Sequence, residues 1–312
     1  MENKLIKWND IDFSKVSELL MFIIYKAGGE HGLSDTGIQK IAYYLKENTD
    51  YEFNSHLPFY WYYFGPYSEV ISKTLELLEK ENKIIRKQID ENYSVWYIKH
   101  PEDYNPPNDP IFQQFSNIFL TNNIGPFTTK RLTYQIYKRF APRIFRLHFF
   151  VFKENFKHLY ATLSRFQINQ ETFFLRNKPN IFKLIYTSES VLPKNKLFSD
   201  YNVLFSDYVS IIDYFLSNNK FEIIFDHLND TIELTEDVWK NFGEGERILS
   251  HDSFNSYEDK IERWESLYYS HLDMLKLRLN SFENHVESIT NFDNKNIIFN
   301  KDEQNLLKTI LP

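Results

Sequence analysis

The sequence has no cysteine among its 312 residues. This excludes disulfide bonds, a thiolate nucleophile and any zinc or iron–sulfur centre held by cysteine. No stretch approaches the roughly 20 apolar residues of a membrane span, and the first residues contain no apolar signal core. We therefore expect a cytoplasmic protein without a membrane segment.

Glycine and proline are also scarce, at 8 and 11 residues. Both residues interrupt helices, so their scarcity favours long helices over a many-stranded sandwich. What the chain has instead is aromatic side chains, which make up 18% of it and include 29 Phe and 21 Tyr. Rings should therefore dominate the core. The length suggests two domains or three.

Catalytic and metal-binding motifs are missing as well. The chain has no glycine-rich phosphate loop, no Gly-x-Ser-x-Gly and no His-Glu-x-x-His. His271 and His285 lie two heptads apart, but a metal site would need carboxylates from a facing element, and surface histidines are the simpler interpretation. We expect no enzyme, no metal and no cofactor. A hydrolase or nuclease using carboxylates within residues 226–273 is the weakest hypothesis.

The most unusual stretch is a run of six aromatic residues from Phe59 to Phe64, which ends at Gly65 and Pro66. Six consecutive rings cannot lie on one face of a helix, so the run predicts an extended segment packed on both sides. Pro66 is suited to the first helical position. We therefore predict a strand that feeds a helix, with the Ser68 hydroxyl in its first turn.

The elements around this stretch follow the order of a winged helix. Periodicity predicts helices over 14–27 and 34–46 before it, and strands over 83–89 and 93–98 after it. A proline-rich segment over 100–110 then indicates a linker. We predict a mainly α protein, with a winged-helix-like α+β domain over residues 1–105 and a larger, predominantly helical domain over 106–312.

In the second domain the pattern predicts several further helices. The first two span 111–120 and 128–140, a basic helix spans 142–166, another helix spans 208–216, and a long helix spans 257–290. Residues 181–187 fit either a strand or a buried helix. Residues 221–225 and 231–234 fit either a hairpin or one irregular helix, and 243–246 fit a loop. The long helix is either the spine of this domain or a homodimerisation helix.

One pattern resembles a known family. A Gln-Lys pair lies in the helix from Gly37 to Leu45, and Phe64-Gly65-Pro66-Tyr67-Ser68 follows before a leucine-rich helix. This resembles the Panacea family of SocA-like antitoxin and YwgA-like domains over residues 14–100. The resemblance implies recognition of a protein partner, either a toxin or a protease-system component. The implied contact residues are Gln39, Lys40, Tyr43, Tyr62, Tyr63, Gly65, Pro66, Tyr67 and Ser68. Packing of strand against helix explains Gly65 and Pro66 equally well.

Charge is distributed unevenly. Residues 106–180 carry a net charge of +8, between segments of −5 and −10. Eight of the 11 basic residues in this segment are candidates for contact with nucleic acid, namely Lys130, Arg131, Lys138, Arg139, Arg143, Arg146, Lys153 and Lys157. They suit either nucleic-acid phosphates or internal docking against the acidic segments. The helix predicted after the aromatic run, from Tyr67 to Glu81, carries more acidic than basic residues, so it is ill suited to DNA.

Our leading hypothesis is therefore a non-enzymatic, antitoxin-like regulatory protein that recognises a protein partner through its N-terminal domain. The alternative is a DNA-binding transcriptional regulator that uses the basic helices at 128–165.

Overall fold

A computed structural model describes residues 8–50, 55–91, 93–150, 170–217, 228–249 and 258–290. Within these ranges the chain is mainly helical, with ten α-helices and two small antiparallel sheets. The prediction of a mainly α protein is confirmed. Among the described helices, none combines the length and the apolar character that a membrane span requires.

The first two helices begin at well-formed caps. Helix α1 spans Phe13–Ile23, and the carboxylate of Asp12 accepts hydrogen bonds from its first N–H groups. A π-helical turn, Ile24–Gly28, follows it. Helix α2 spans Asp35–Glu47, and the hydroxyl of Ser34 accepts from the Gly37 N–H group. The two predicted helices are therefore confirmed.

The aromatic run forms a hairpin. Strand β1 is Tyr60–Tyr62 and strand β2 is Gly65–Tyr67, paired antiparallel, and helix α3 begins only at Glu69 (Glu69–Lys80). The predicted strand-to-helix junction at Pro66 is wrong, because the chain turns at Tyr63 and Phe64 and Pro66 lies in β2. Gly65 ends this turn with a φ of +96°, a conformation that favours glycine. Ser68 is the N-cap of α3, but its hydroxyl makes no capping bond.

The two strands predicted after α3 are confirmed. Strand β3, Ile84–Asp90, pairs antiparallel with strand β4, Tyr93–Ile98. Trp96 of β4 also exchanges backbone hydrogen bonds with Leu33, in both directions. This bridge attaches the second hairpin to the loop before α2.

Seven helices make up the rest of the described chain. They are α4 Pro110–Asn122, α5 Thr129–Arg139, α6 Arg143–Phe149, α7 Gln170–Ser190, α8 Ser199–Ser217, α9 Leu228–Leu249 and α10 Glu258–Thr290. The helices predicted over 111–120, 128–140, 208–216 and 257–290 are confirmed. Of the predicted basic helix over 142–166, the structure shows α6, and residues 151–169 lie outside the described residues.

Two ambiguous segments are resolved as helix, and one prediction is wrong. Residues 181–187 belong to α7 and residues 231–234 to α9, while 221–225 lie outside the described residues. The predicted loop over 243–246 is the interior of α9. Its two glycines allow close packing instead. A Cβ at Gly245 would come within 2.6 Å of the Phe198 ring.

The core is one continuous apolar cluster that extends from Ile11 to Phe282. Rings of α4 join it directly, since Phe112 packs edge-on against Phe22 of α1 with centroids 5.0 Å apart. The division at residue 105 stays a prediction. Helix α10 contacts α9 and α8 through buried side chains such as Trp264, as expected of a spine.

Candidate recognition site

The β1–β2 hairpin is held from behind by buried donors. The ammonium of Lys40, which is only 2% exposed, donates to the carbonyl oxygen of Phe64 at 2.5 Å and lies 3.5 Å from that of Pro66. The indole N–H of Trp239 donates to the Tyr63 carbonyl at 3.0 Å, and the Tyr137 hydroxyl lies 3.4 Å from the same oxygen. These bonds fix the turn of the hairpin.

The end of the hairpin is fixed by Gln39. Its side-chain amide accepts from the Ser68 N–H group and donates to the Ser68 carbonyl, both at 2.9 Å. This two-way bond imitates the pairing of a neighbouring strand and satisfies buried backbone groups that have no ladder partner there. The Gln-Lys pair of α2 therefore positions the whole hairpin.

A stack of charged and aromatic groups joins the hairpin to the last two helices. The Arg247 guanidinium lies 3.8 Å from the centre of the Trp264 ring and about 6 Å from the rings of Tyr60 and Tyr62. Guanidinium groups bind aromatic faces through the ring quadrupole. Beside this stack, Lys260 of α10 forms an ion pair with Glu69 at the start of α3.

The tip of the hairpin points outward. Phe64 is 54% exposed, and its ring centroid lies 3.9 Å from that of Tyr63 and 5.6 Å from that of Tyr62. Burial raises the pKa of both tyrosine hydroxyls above the usual range, so both rings stay neutral. The tip is thus an uncharged aromatic surface on a rigid base.

The residues implied by the family resemblance separate into two groups. Gln39, Lys40, Tyr43, Gly65, Pro66 and Ser68 are buried, and Tyr62, Tyr63 and Tyr67 are half-buried. The buried group supports the hairpin from within, so any contact with a partner falls to the tyrosines and their neighbour Phe64. Phe64 lies within the predicted edge from Tyr62 to Ser68 but is not named among the implied contact residues. Only its place at the turn between two strands marks it.

The described basic residues predicted for nucleic acid are all exposed. They are Lys130, Arg131, Lys138, Arg139, Arg143 and Arg146. Within the described chain none forms an ion pair, although Arg131 donates to the carbonyls of Asn122 and Asn123, which end α4. These six residues therefore give no support to the prediction that the basic surface docks against the acidic segments of the chain. Lys153 and Lys157 lie outside the described residues.

Histidines and carboxylates form two small groupings. His271 bonds to Glu244 of the facing helix α9, at 2.6 Å. In the described ranges, three potential metal ligands come together only at His100, Glu102 and Asp103, all exposed on the linker.

Apolar side chains of α10 are also exposed, including Met274 and Leu277. Homodimerisation through this helix stays a prediction.

Comparison with known proteins gives no match, whether to a family model, to a curated protein or to a solved structure.

Proposed function

We propose that this chain is a non-enzymatic regulatory protein that recognises a protein partner through its hairpin tip, defined as Tyr62, Tyr63 and Phe64. The ring of Tyr67, 5.7 Å from that of Tyr62, extends this surface along β2. The observation that carries this proposal is the contrast at Phe64, whose ring is exposed while its carbonyl is held by buried Lys40. Aromatic anchors contribute most of the binding energy in many interfaces. Anchors that are already ordered lose little conformational entropy on binding.

The family resemblance supports the same proposal. A Panacea-like domain would make the partner a toxin or a protease-system component in the cytoplasm. The succession of α1, α2, α3 and the β3–β4 hairpin supports a winged-helix-like arrangement. However, the β1–β2 hairpin occupies the connection between α2 and α3, where a helix-turn-helix has only three or four residues. Helix α3 also exposes Glu76 and Glu79, which favours protein over DNA as its partner.

Site-specific photo-crosslinking tests this proposal. A photoreactive amino acid is placed at position 64 or, as a matched control, at position 127, where another phenylalanine is exposed. We expect a discrete protein adduct from position 64 only. The captured protein is then purified and titrated against wild type, Phe64→Ala and Phe127→Ala. Phe64→Ala should weaken binding at least tenfold and Phe127→Ala should not. Equal adducts at both positions, or equal affinities, would overturn the proposal.

A second candidate is DNA binding by α5 and α6. The observation that favours it is the exposure of their six basic side chains on a stretch that contains no Asp or Glu between Asp109 and Glu154. Such a surface attracts phosphates, with an affinity that falls as salt rises. The test is duplex binding at low and moderate salt by wild type and by Arg143→Glu combined with Arg146→Glu. Duplex affinity unchanged in the double variant would reject this candidate.

A further inference from the structure

Aromatic and basic residues alternate along one face of α5. The sequence places Phe127 just before the helix, followed by Arg131, Tyr134 and Lys138 at steps of four, three and four residues. At 100° per residue, the three helical members lie within about 60° of one another. We call these four residues the aromatic-basic stripe.

All four members face solvent. Phe127 is 80% exposed and Tyr134 is 38% exposed, and the side chains of Arg131 and Lys138 are exposed as well. Leu132 and Ile136, on the other side of α5, are buried and account for its packing. The apolar packing of α5 therefore depends on Leu132 and Ile136 more than on the stripe. Isolated exposed rings would not by themselves be informative.

Neighbouring groups orient the stripe. The Tyr134 ring packs edge-on against Phe150, with centroids 5.4 Å apart and planes at 83°. The Phe127 ring lies 4.9 Å from that of His31. The guanidinium of Arg131 is held by the carbonyls that end α4. The rings and the guanidinium are thus presented in defined positions.

The groups around the stripe favour a ligand that carries both negative charge and planar rings. The sequence has no carboxylate from residue 110 to residue 153, so no acidic side chain of this stretch competes for the cations. Unpaired bases stack on aromatic side chains while lysine and arginine follow the phosphates. In a duplex the bases are already stacked on one another, and rings at this spacing have nothing to stack on.

We propose that the aromatic-basic stripe binds single-stranded nucleic acid. Phe127 and Tyr134 stack on bases, Arg131 contacts the phosphates between them, and Lys138 contacts those beyond Tyr134. This proposal rests on the second candidate function and narrows its ligand from nucleic acid in general to an unpaired strand. It is independent of partner recognition by the hairpin tip.

The test is fluorescence anisotropy of the full chain with labelled oligothymidine, oligouridine and a duplex of the same length. We expect each single strand, or one of them, to bind at least tenfold more tightly than the duplex. Tyr134→Ala and Phe127→Ala should each weaken single-strand binding by roughly 5- to 100-fold, without changing the dependence of log K on log salt. Lys138→Gln should reduce that salt slope by about 0.7.

Two matched variants serve as controls. Tyr134→Phe keeps the ring and should keep the affinity, whereas Tyr269→Ala removes an exposed ring of α10 outside the stripe and should change nothing. Far-UV circular dichroism checks that each variant is folded. Equal or tighter duplex binding would overturn this proposal and leave the duplex-binding candidate standing. Absence of binding to all three probes at low salt would overturn both this proposal and the duplex-binding candidate. Full affinity in both alanine variants would overturn the stacking role of the two rings.

Discussion

Gly243 in the middle of α9 lies directly against Tyr63 in the hairpin, and a Cβ at position 243 would come within 2.7 Å of the Tyr63 Cα atom. Real Cβ atoms do not approach a backbone atom so closely. The glycine therefore sets the distance at which the helix meets the hairpin. That distance also allows Trp239, one turn earlier in α9, to reach the Tyr63 carbonyl.

Replacing this glycine should destabilise the fold. Alanine is favoured over glycine in a helix interior by about 1 kcal/mol, yet Gly243→Ala forces backbone against backbone. We expect a net loss of about 2 kcal/mol or more in the free energy of unfolding, measured by urea titration. Gly125→Ala is the control, because a Cβ there meets nothing within 4 Å. A neutral Gly243→Ala would show that the hairpin can move away from α9 freely.

Removing the Gln39 amide should cost stability at the other end of the hairpin. Gln39→Leu fills a similar volume but leaves the buried N–H group of Ser68 without its partner, while the Ser68 carbonyl still accepts the first hydrogen bond of α3. An unsatisfied buried backbone group costs about 1–3 kcal/mol, so we expect a loss of that size in the free energy of unfolding. The exposed Gln113 of α4 offers a matched control, since Gln113→Leu should change stability by less than about 0.5 kcal/mol. Equal effects at both positions would contradict the positioning role.

Much of the helical framework could be predicted from periodicity, because α4, α5 and α10 each show one buried and one exposed face. Helix α2 is different, since every residue from Gly37 to Leu45 is buried. The hairpin could not be predicted, since its turn depends on the positive φ of Gly65 and on Lys40, which is distant in sequence. Lysine normally suggests a surface position, and no local pattern reveals that two carbonyls enclose its ammonium group.

The interior glycines of α9 illustrate the same limit. Gly243 and Gly245 with charged neighbours are typical of a loop, and local propensity was the basis of that prediction. Tertiary contacts outweigh propensity here, because Tyr63 and Phe198 require the space. The basic surface of α5 and α6 could be predicted, because charge is visible in the sequence. The exposed position of Phe64 could not, because it depends on where the hairpin turns.

The stack of Arg247 on Trp264 should depend on the shape of the guanidinium as well as on its charge. Arg247→Lys keeps the charge but loses the flat group that lies 3.8 Å from the ring centre, so we expect a loss of about 1 kcal/mol in the free energy of unfolding. A double-mutant cycle with Trp264→Leu isolates the contact. The expected coupling energy is about 1 kcal/mol, and strictly additive effects would show that the two side chains are energetically independent.

Glu246 should make stability fall as pH rises. Burial raises the pKa of its carboxyl from the ordinary 4.5 to about 7 in the folded chain. Below pH 4.5 the group is protonated in the folded and unfolded states alike and carries no penalty. Between pH 4.5 and 7 the unfolded chain releases the proton while the folded chain retains it, so stability is lost across this window.

Glu246→Gln removes the titration. One pKa unit corresponds to about 1.4 kcal/mol, and residual solvent contact reduces the full shift to an expected gain of roughly 1–2 kcal/mol over wild type at pH 8, with little gain at pH 4. Urea titrations at both pH values measure this difference. Glu262→Gln, on the exposed face of α10, is the control and should give the same small change at both pH values. A Glu246→Gln effect that did not depend on pH would mean that the carboxyl loses its proton equally readily in the folded and unfolded chain.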